Sequence, residues 1–302
     1  MQYNNTAHRQ QATGRQYSVG LWPELCRQML VASARCVDLA PTGSSLALLP
    51  LDGLTTFMVT SASASNSVPN CSASLHAQGI LSAKEQERLH SFPCSKRRLE
   101  WLGGRLAAKY ALQQYCSSAW SGAHPFAQTS PALLSIDNDT HGRPFVDWHA
   151  DNVSFCQQPP FLSISHSGQF AAAMLAPGPC GLDVQRIVAK LQRLQARFAS
   201  AAELALGREY DELLWLAMLW AAKEAVKKCR YYDQPTFMER IEAQALVGSA
   251  LEPQGAVLFC HLTDPVGLAA PSAATAAATV MTVRVAIIQG HALALAVEVG
   301  GA

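Results

Sequence analysis

Trp220-Ala221-Ala222-Lys223-Glu224-Ala225-Val226-Lys227-Lys228, together with Gly181-Leu182-Asp183-Val184 about forty residues upstream, decides how this chain reads. On a helix, Glu224 and Lys228 lie four apart and project from one face. Gly181 to Val184 reads as a strand whose Leu182 and Val184 go to the core, which turns Asp183 the other way. A carboxylate from a strand meeting a carboxylate from a helix can hold a hard, oxygen-loving cation. A solvated helical ion pair and a turn aspartate are the plainer readings of each piece alone.

Phe161-Leu162-Ser163-Ile164-Ser165-His166-Ser167-Gly168, followed by Phe170 to Leu175, reads as a strand, a Ser-Gly turn and a second strand. Gly142-Arg143-Pro144 lies upstream. In this order the elements closely resemble the 4′-phosphopantetheinyl transferases of the surfactin and enterobactin type. That family carries a glycine-basic-proline element, a Ser-His-Ser strand and a Gly-hydrophobic-Asp strand. A Trp-x-x-Lys-Glu-Ala/Ser helix follows, with a lysine four residues after the glutamate. Lys96-Arg97-Arg98-Leu99-Glu100-Trp101-Leu102-Gly103-Gly104-Arg105 also looks like the arginine-rich helix of the enterobactin branch. The resemblance covers roughly residues 80 to 300.

The resemblance implies an α+β fold made of a pseudo-twofold pair of similar halves with the active site between them. It implies Mg2+-dependent transfer of 4′-phosphopantetheine from coenzyme A to a serine of an apo acyl or peptidyl carrier domain, which is holo-[acyl-carrier-protein] synthase activity. Asp183 and Glu224 would bind the metal, Glu224 would also act as general base, and Lys228 would offset charge on, or protonate, the leaving bisphosphate. Ser165, His166 and Lys228 would contact the cofactor, as would Arg143 and Pro144 beside the adenine and 3′-phosphate. Arg143 stands where a lysine is frequent. Two residues after the motif aspartate many relatives carry a metal-binding glutamate, but here the residue is Gln185. Strand alternation points Gln185 the same way as Asp183, as a direct or water-mediated ligand.

Coenzyme A brings a 3′-phosphate and a pyrophosphate, anions that favour clustered Lys and Arg. At about 100° per residue, Arg98, Arg105 and Lys109 fall on one side of the long helix, beside an apolar face of Leu99, Leu102, Leu106 and Tyr110. Lys96, Arg98 and Arg105 are the expected cofactor contacts. By alternation His166 shares a strand face with Leu162 and Ile164, so a hydrogen-bonded core histidine is the plain reading. A serine hydrolase is a poor reading of Ser-His-Ser, because Ser165 and His166 face opposite ways on a strand.

The 302 residues, 49% hydrophobic and 15% charged, suit a globular chain with a sizeable core. No run of about eighteen apolar residues suggests a membrane span. The polar, glutamine-rich Met1 to Arg15 lacks the order of a secretory signal. Nine scattered cysteines without Cys-x-x-Cys spacing point to reduced thiols in the cytoplasm. A net charge of +1 gives no global pull toward nucleic acid.

Residues 1–50 are expected to be an N-terminal extension, with a helix within Leu21 to Val37. Residues 51–178 form an N-terminal half and residues 179–302 a C-terminal half. Thr55 to Thr60 reads as a first strand and Ser61 to Ser74 as a loop. Ser82-Ala83-Lys84-Glu85 and Ser200-Ala201-Ala202-Glu203 are capping boxes, each opening a helix. A long helix is expected from about Ser95 to Tyr115, and a second helical stretch ends near Cys229. Strands follow at about 256–262, 279–288 and 292–299, the last two joined by Gln289-Gly290. Ala269 to Ala278 reads as an inserted loop, and no internal sequence repeat is detectable. A monomer is expected, since a two-half chain supplies both sides of the cleft. The alternatives are a non-catalytic protein that binds coenzyme A or a carrier domain, and a Mg2+-dependent nucleotide hydrolase. The hydrolase lacks its Gly-rich phosphate loop.

Overall fold

The computed structural model describes residues 21–34, 39–52, 54, 79–119, 130–148, 159–232, 238–252, 254–262 and 279–298. The anticipated strand at Thr55 to Thr60 and the loops at 61–74 and 269–278 lie outside them. Strand β1 (Ser45–Pro50) is followed by helices α2 (Ala83–Ser91) and α3 (Ser95–Ala119), with α1 (Leu21–Ala34) ahead of it. Two hairpins follow, β2 (Leu134–Asn138) with β3 (Pro144–Trp148), then β4 (Phe161–Ser167) with β5 (Phe170–Ala176). The order then repeats. Strand β6 (Cys180–Arg186) leads into α4 (Lys190–Leu194), α5 (Ala201–Leu206) and α6 (Glu212–Arg230). The hairpins β7 (Ile241–Gly248) with β8 (Ala256–Leu262) and β9 (Thr279–Ile288) with β10 (His291–Val297) end it.

Pairing repeats as well as order. The leading strand β1 pairs antiparallel with β5, and the leading strand β6 pairs antiparallel with β10. The first half holds a sheet ordered β1-β5-β4 beside the β2–β3 ribbon, while the second half joins its strands as β6-β10-β9-β8-β7. The fold is α+β, and its duplication lies in topology rather than in sequence. Strand β1 supplies the position that β6 supplies in the second half, and α1 adds Leu25 and Met29 to the first core. The anticipated boundary at residue 50 therefore falls at the end of a first-half strand, not at the edge of an extension. The two-residue turn Gln289-Gly290 joins β9 and β10 with both residues at positive φ, 45° and 74°, the twist a tight hairpin needs.

The halves also share a buried anchor. Ser82 and Ser200 both cap with the reciprocal bonds expected of the box. Each box glutamate is then used twice more. Glu85 accepts from Ile136 N at 3.0 Å and lies 2.8 Å from Lys109 Nζ. Glu203 accepts from Ala243 N at 2.8 Å and lies 2.8 Å from Lys223 Nζ. Lys109 donates to the carbonyls of Pro131 and Leu134, and Lys223 to those of Phe198 and Met238. Lys109 is thus a fully buried tie between α2, α3 and β2, not part of a basic rim, and burial lowers its pKa.

Four layers result, helix, sheet, sheet, helix. Along β5, Ala171, Ala173 and Leu175 face the first core under α3, while Phe170, Ala172 and Met174 face the second sheet. Along β10, Ala292, Ala294 and Ala296 face the core under α6, while Leu293 and Leu295 face the first sheet. Alanine on the helix-facing sides lets each helix approach closely. Larger side chains fill the sheet-to-sheet layer, where a Leu-to-Ala truncation costs about 2–5 kcal/mol. No helix among the described residues is long and apolar enough to cross a membrane.

Candidate active site

Strand β6 lies directly against α6 because Gly181 has no side chain. A Cβ there would overlap Ala225 O and come 2.7 Å from Cys229 N. Ala225 follows Glu224, and Asp183 stands two residues beyond Gly181, so this backbone contact fixes the strand aspartate relative to the helix. Asp211 caps α6 by accepting from Leu214 N, and Lys227, Lys228 and Arg230 fill its last turn, where cations suit the helix dipole. From that turn Lys228 Nζ donates to Leu182 O at 2.9 Å and to Asp183 Oδ1 at 2.7 Å. Glu224 pairs with Lys227 at 3.5 Å, with 18% of its side chain exposed. Its neighbour Lys223 belongs to the buried anchor instead.

Strands β4 and β6 are edge strands of different sheets, and serines join them. Ser163, Ser165 and Ser167 Oγ accept from Leu182, Val184 and Arg186 N at 2.9, 3.3 and 3.0 Å. The hydroxyls satisfy an edge that would otherwise leave amides unpaired. Ser165 Oγ also donates to Asp183 Oδ1 at 2.7 Å. Ser165 thus faces away from the side of β4 that carries His166, against the expectation that both serve the cofactor. Period-two spacing in Ser163-Ile164-Ser165-His166-Ser167 carries that division of faces, so this signal was in the sequence.

His166 and Ile164 face a cavity of about 750 Å3, also lined by Arg97, Trp101, Arg105, Asn138 and Pro144. Arg105 is 9% exposed, donates to Asn138 Oδ1 at 2.7 Å and lies 4.7 Å from the Trp101 ring centroid. Among the described residues its Nε has no partner, and burial lowers its pKa to about 10, which still leaves it cationic at neutral pH. His166 Nδ1 lies 3.8 Å from a Glu100 oxygen. Burial lowers the His166 pKa, Glu100 opposes that shift, and Arg97 and Lys228 add to it, with Asp183 also within electrostatic reach. His166 therefore lines the cavity while feeling the charges of Asp183 and Lys228.

Three expected cofactor contacts fall elsewhere. Lys96, 78% exposed at its side chain, pairs with Glu100 at 3.7 Å outside the cavity wall. Arg98 donates from Nε to Phe92 O at 2.6 Å and so braces the wall from behind. Arg143 lies between the Phe161 and Tyr232 rings, 4.6 and 4.7 Å from their centroids, and ties β3 to the end of α6, while Gly142 and Pro144 reach the cavity. Arg97, Trp101 and Asn138 are cavity residues that the spacing argument missed, because helix periodicity places them without showing what they face. Gln185 donates from Nε2 to Arg186 O at 2.7 Å. Among the described residues no group of three or more His, Cys, Asp or Glu side chains could hold a metal ion.

The model of the 4′-phosphopantetheinyl transferase superfamily matches residues 179–264, which run from the start of β6 past β8. The chain is 28% identical over 96 residues to a holo-[acyl-carrier-protein] synthase of Staphylococcus haemolyticus (strain JCSC1435), covering 32% of this chain and 71% of that one. It is 33% identical over 96 residues to the holo-[acyl-carrier-protein] synthase of Lactococcus lactis subsp. lactis (strain IL1403), covering 32% of this chain and 72% of that one. Among solved structures, the ACPS-CoA complex of Chronobacterium ammoniagenes aligns at 23% identity with a TM-score of 0.33, over 44% of this chain and 93% of that one. Helicobacter pylori holo-[acyl-carrier-protein] synthase in complex with coenzyme A aligns at 15% identity with a TM-score of 0.32, over 44% and 97%. The chain belongs to the 4′-phosphopantetheinyl transferase superfamily and is a transferase of that kind.

Proposed function

We propose that the chain moves 4′-phosphopantetheine from coenzyme A to a serine of an acyl or peptidyl carrier domain and releases adenosine 3′,5′-bisphosphate. The observation that carries this reading is that His166 lines the cavity together with Arg97 and Arg105, while Asp183 and Lys228 lie within its electrostatic reach. An elongated ligand that carries a 3′-phosphate and a pyrophosphate would place its nucleotide end in the cavity and its pyrophosphate near Asp183 and Lys228. Arg97, Arg105 and His166 supply the anion contacts.

Asp183 and Glu224 would hold Mg2+, since carboxylate oxygens are the donors that cation takes. Held there, the cation would supply charge neutralisation at the pyrophosphate. The rest is done by side chains. Glu224 takes the proton of the carrier serine as its oxygen attacks the phosphorus that bears pantetheine. The phosphoanhydride bond to the adenosine bisphosphate breaks, and Lys228 offsets the charge left on that group. With both halves in one chain, the enzyme acts as a monomer, and we assign it to the broad-range surfactin and enterobactin type.

Incubation with coenzyme A, Mg2+ and an apo carrier domain is expected to raise the carrier's mass by one phosphopantetheine. Coenzyme A binding without any mass gain on fatty acid, polyketide or nonribosomal peptide carriers would favour the non-catalytic binding protein instead. Release of inorganic phosphate would favour the hydrolase.

A further inference from the structure

We propose that Ser165 is a positioning residue that sets which oxygen of Asp183 faces the cation, and that it makes no contact with coenzyme A. The proposal rests on the functional reading above. A serine hydroxyl has one hydrogen and two lone pairs. In Ser165 the hydrogen goes to Asp183 Oδ1 at 2.7 Å, and a lone pair accepts Val184 N at 3.3 Å. The donor and the amide that orients it therefore bracket Asp183 in sequence and space. Lys228 Nζ reaches the same oxygen at 2.7 Å. Both donors converge on Oδ1, so the carboxylate is pinned by one oxygen and presents Oδ2.

Ser165 is 6% exposed and Asp183 7% exposed, so neither group exchanges freely with water. A hydrogen bond to a buried carboxylate is stronger than a neutral one and fixes its rotation. Fixing the orientation of a ligating carboxylate is what an outer partner does in a metal site, and losing such a partner costs about 10–100-fold in metal affinity. Ser163 gives the built-in comparison. It sits two residues earlier on the same face of β4, is 3% exposed, and accepts Leu182 N at 2.9 Å, yet it does not touch Asp183. Removing either hydroxyl leaves one amide of β6 without its acceptor, so each removal takes one bond from the joint between the sheets. Only one touches the carboxylate.

The test uses the whole chain and Mn2+ as a spectroscopic stand-in for Mg2+. Free Mn2+ is followed by electron paramagnetic resonance with coenzyme A present, and coenzyme A binding is measured by calorimetry without any divalent metal. Ser165→Ala is expected to weaken Mn2+ about tenfold while metal-free coenzyme A affinity stays within about twofold of wild type. Ser163→Ala is expected to leave both near wild type, and Ser165→Thr, which keeps the hydroxyl, to recover Mn2+ affinity. Loss of metal-free coenzyme A affinity in Ser165→Ala would make Ser165 a cofactor contact and overturn the proposal. So would equal Mn2+ losses in Ser163→Ala and Ser165→Ala, which would reduce the hydroxyl to a strut. If wild type itself binds neither coenzyme A nor Mn2+, the functional reading fails rather than the role of Ser165.

Discussion

Lys223 straddles the carboxylate of Glu203, 2.8 Å from Oε1 and 2.9 Å from Oε2, with both side chains buried. The motif Lys223-Glu224 is therefore divided between two tasks. Its lysine ties α6 to α5 and β7, while its glutamate stays 18% exposed at the edge of the candidate site. Lys223→Met leaves Glu203 charged and unpaired in the core, which is expected to cost about 3–5 kcal/mol of stability in denaturant unfolding. Glu224→Gln is expected to unfold at nearly the wild-type midpoint yet lose turnover by orders of magnitude, with coenzyme A binding much less affected. Near wild-type turnover in Glu224→Gln would remove that residue from the chemistry.

Gly181→Ala puts a methyl group where α6 backbone already stands. Backbone cannot yield as a flexible side chain can, so β6 and α6 must separate. The expected result is a destabilisation above about 2 kcal/mol together with weakened metal binding, because the same contact aligns Asp183 with Glu224. Soluble variant protein with unchanged unfolding and unchanged Mn2+ affinity would show that the strand and helix are not in contact at this position.

His166 gives a pH dependence whose sign follows from burial. Burial holds its pKa below the ordinary 6.5 in the free protein. As pH falls through 6.5 the unfolded chain takes up the proton first, so His166 makes the free protein less stable in acid. A bound phosphate favours the charged imidazole and raises that pKa again, so coenzyme A binding takes up a proton between the free and bound values. Calorimetry in buffers of different ionisation enthalpy is expected to show this uptake near pH 6–7, and His166→Gln to remove most of it. Uptake unchanged in His166→Gln would assign the proton to the ligand's own phosphate.

Much of this was legible because the informative signals are local. Both capping boxes, the long helix, the Ser-Gly and Gln-Gly turns and the C-terminal strands follow from spacing within a few residues. Strand β1 was hidden in a stretch, Ser45–Pro50, whose burial on both sides leaves no alternation to read. Lys109 was misread for a related reason. A helical wheel places it with Arg98 and Arg105, but its partner Glu85 comes from another helix, and only tertiary packing reveals an ion pair between them. The candidate site divides the same way. Asp183, Lys228 and His166 were named from motif and alternation, whereas the cavity residues Arg97 and Asn138 depend on how α3 meets the β2–β3 ribbon.

Arg105 and Lys96 were expected to act alike, and their surroundings separate them. Arg105 lines the cavity with its guanidinium desolvated and its Nε unpartnered among the described residues, so a ligand phosphate would gain a charge-assisted bond there at little further desolvation. Lys96 is in water. Arg105→Ala is expected to weaken coenzyme A about tenfold or more, and Lys96→Ala less than about twofold. The difference is expected to shrink for 3′-dephospho-coenzyme A if the bond is made to the 3′-phosphate. Equal losses in the two variants would place the phosphate at the helix start instead of in the cavity.

Gln185 tests the metal reading at its most unusual point. It lies two residues from Asp183 on β6, yet its amide nitrogen donates to Arg186 O at 2.7 Å, so the side chain is already engaged beside the cluster. A neutral amide oxygen is a weaker ligand for Mg2+ than a carboxylate. On the proposed metal reading Asp183 and Glu224 would supply the charge, and Gln185 would contribute at most through water. Gln185→Ala is therefore expected to keep turnover within about threefold at saturating Mg2+, with the loss confined to a raised Mg2+ requirement. Gln185→Glu adds a negative charge on the strand that carries Asp183, and is expected to tighten Mn2+ measurably in the resonance assay. Abolished activity in Gln185→Ala at every Mg2+ concentration would make Gln185 a required ligand, and a two-carboxylate site would then be the wrong description.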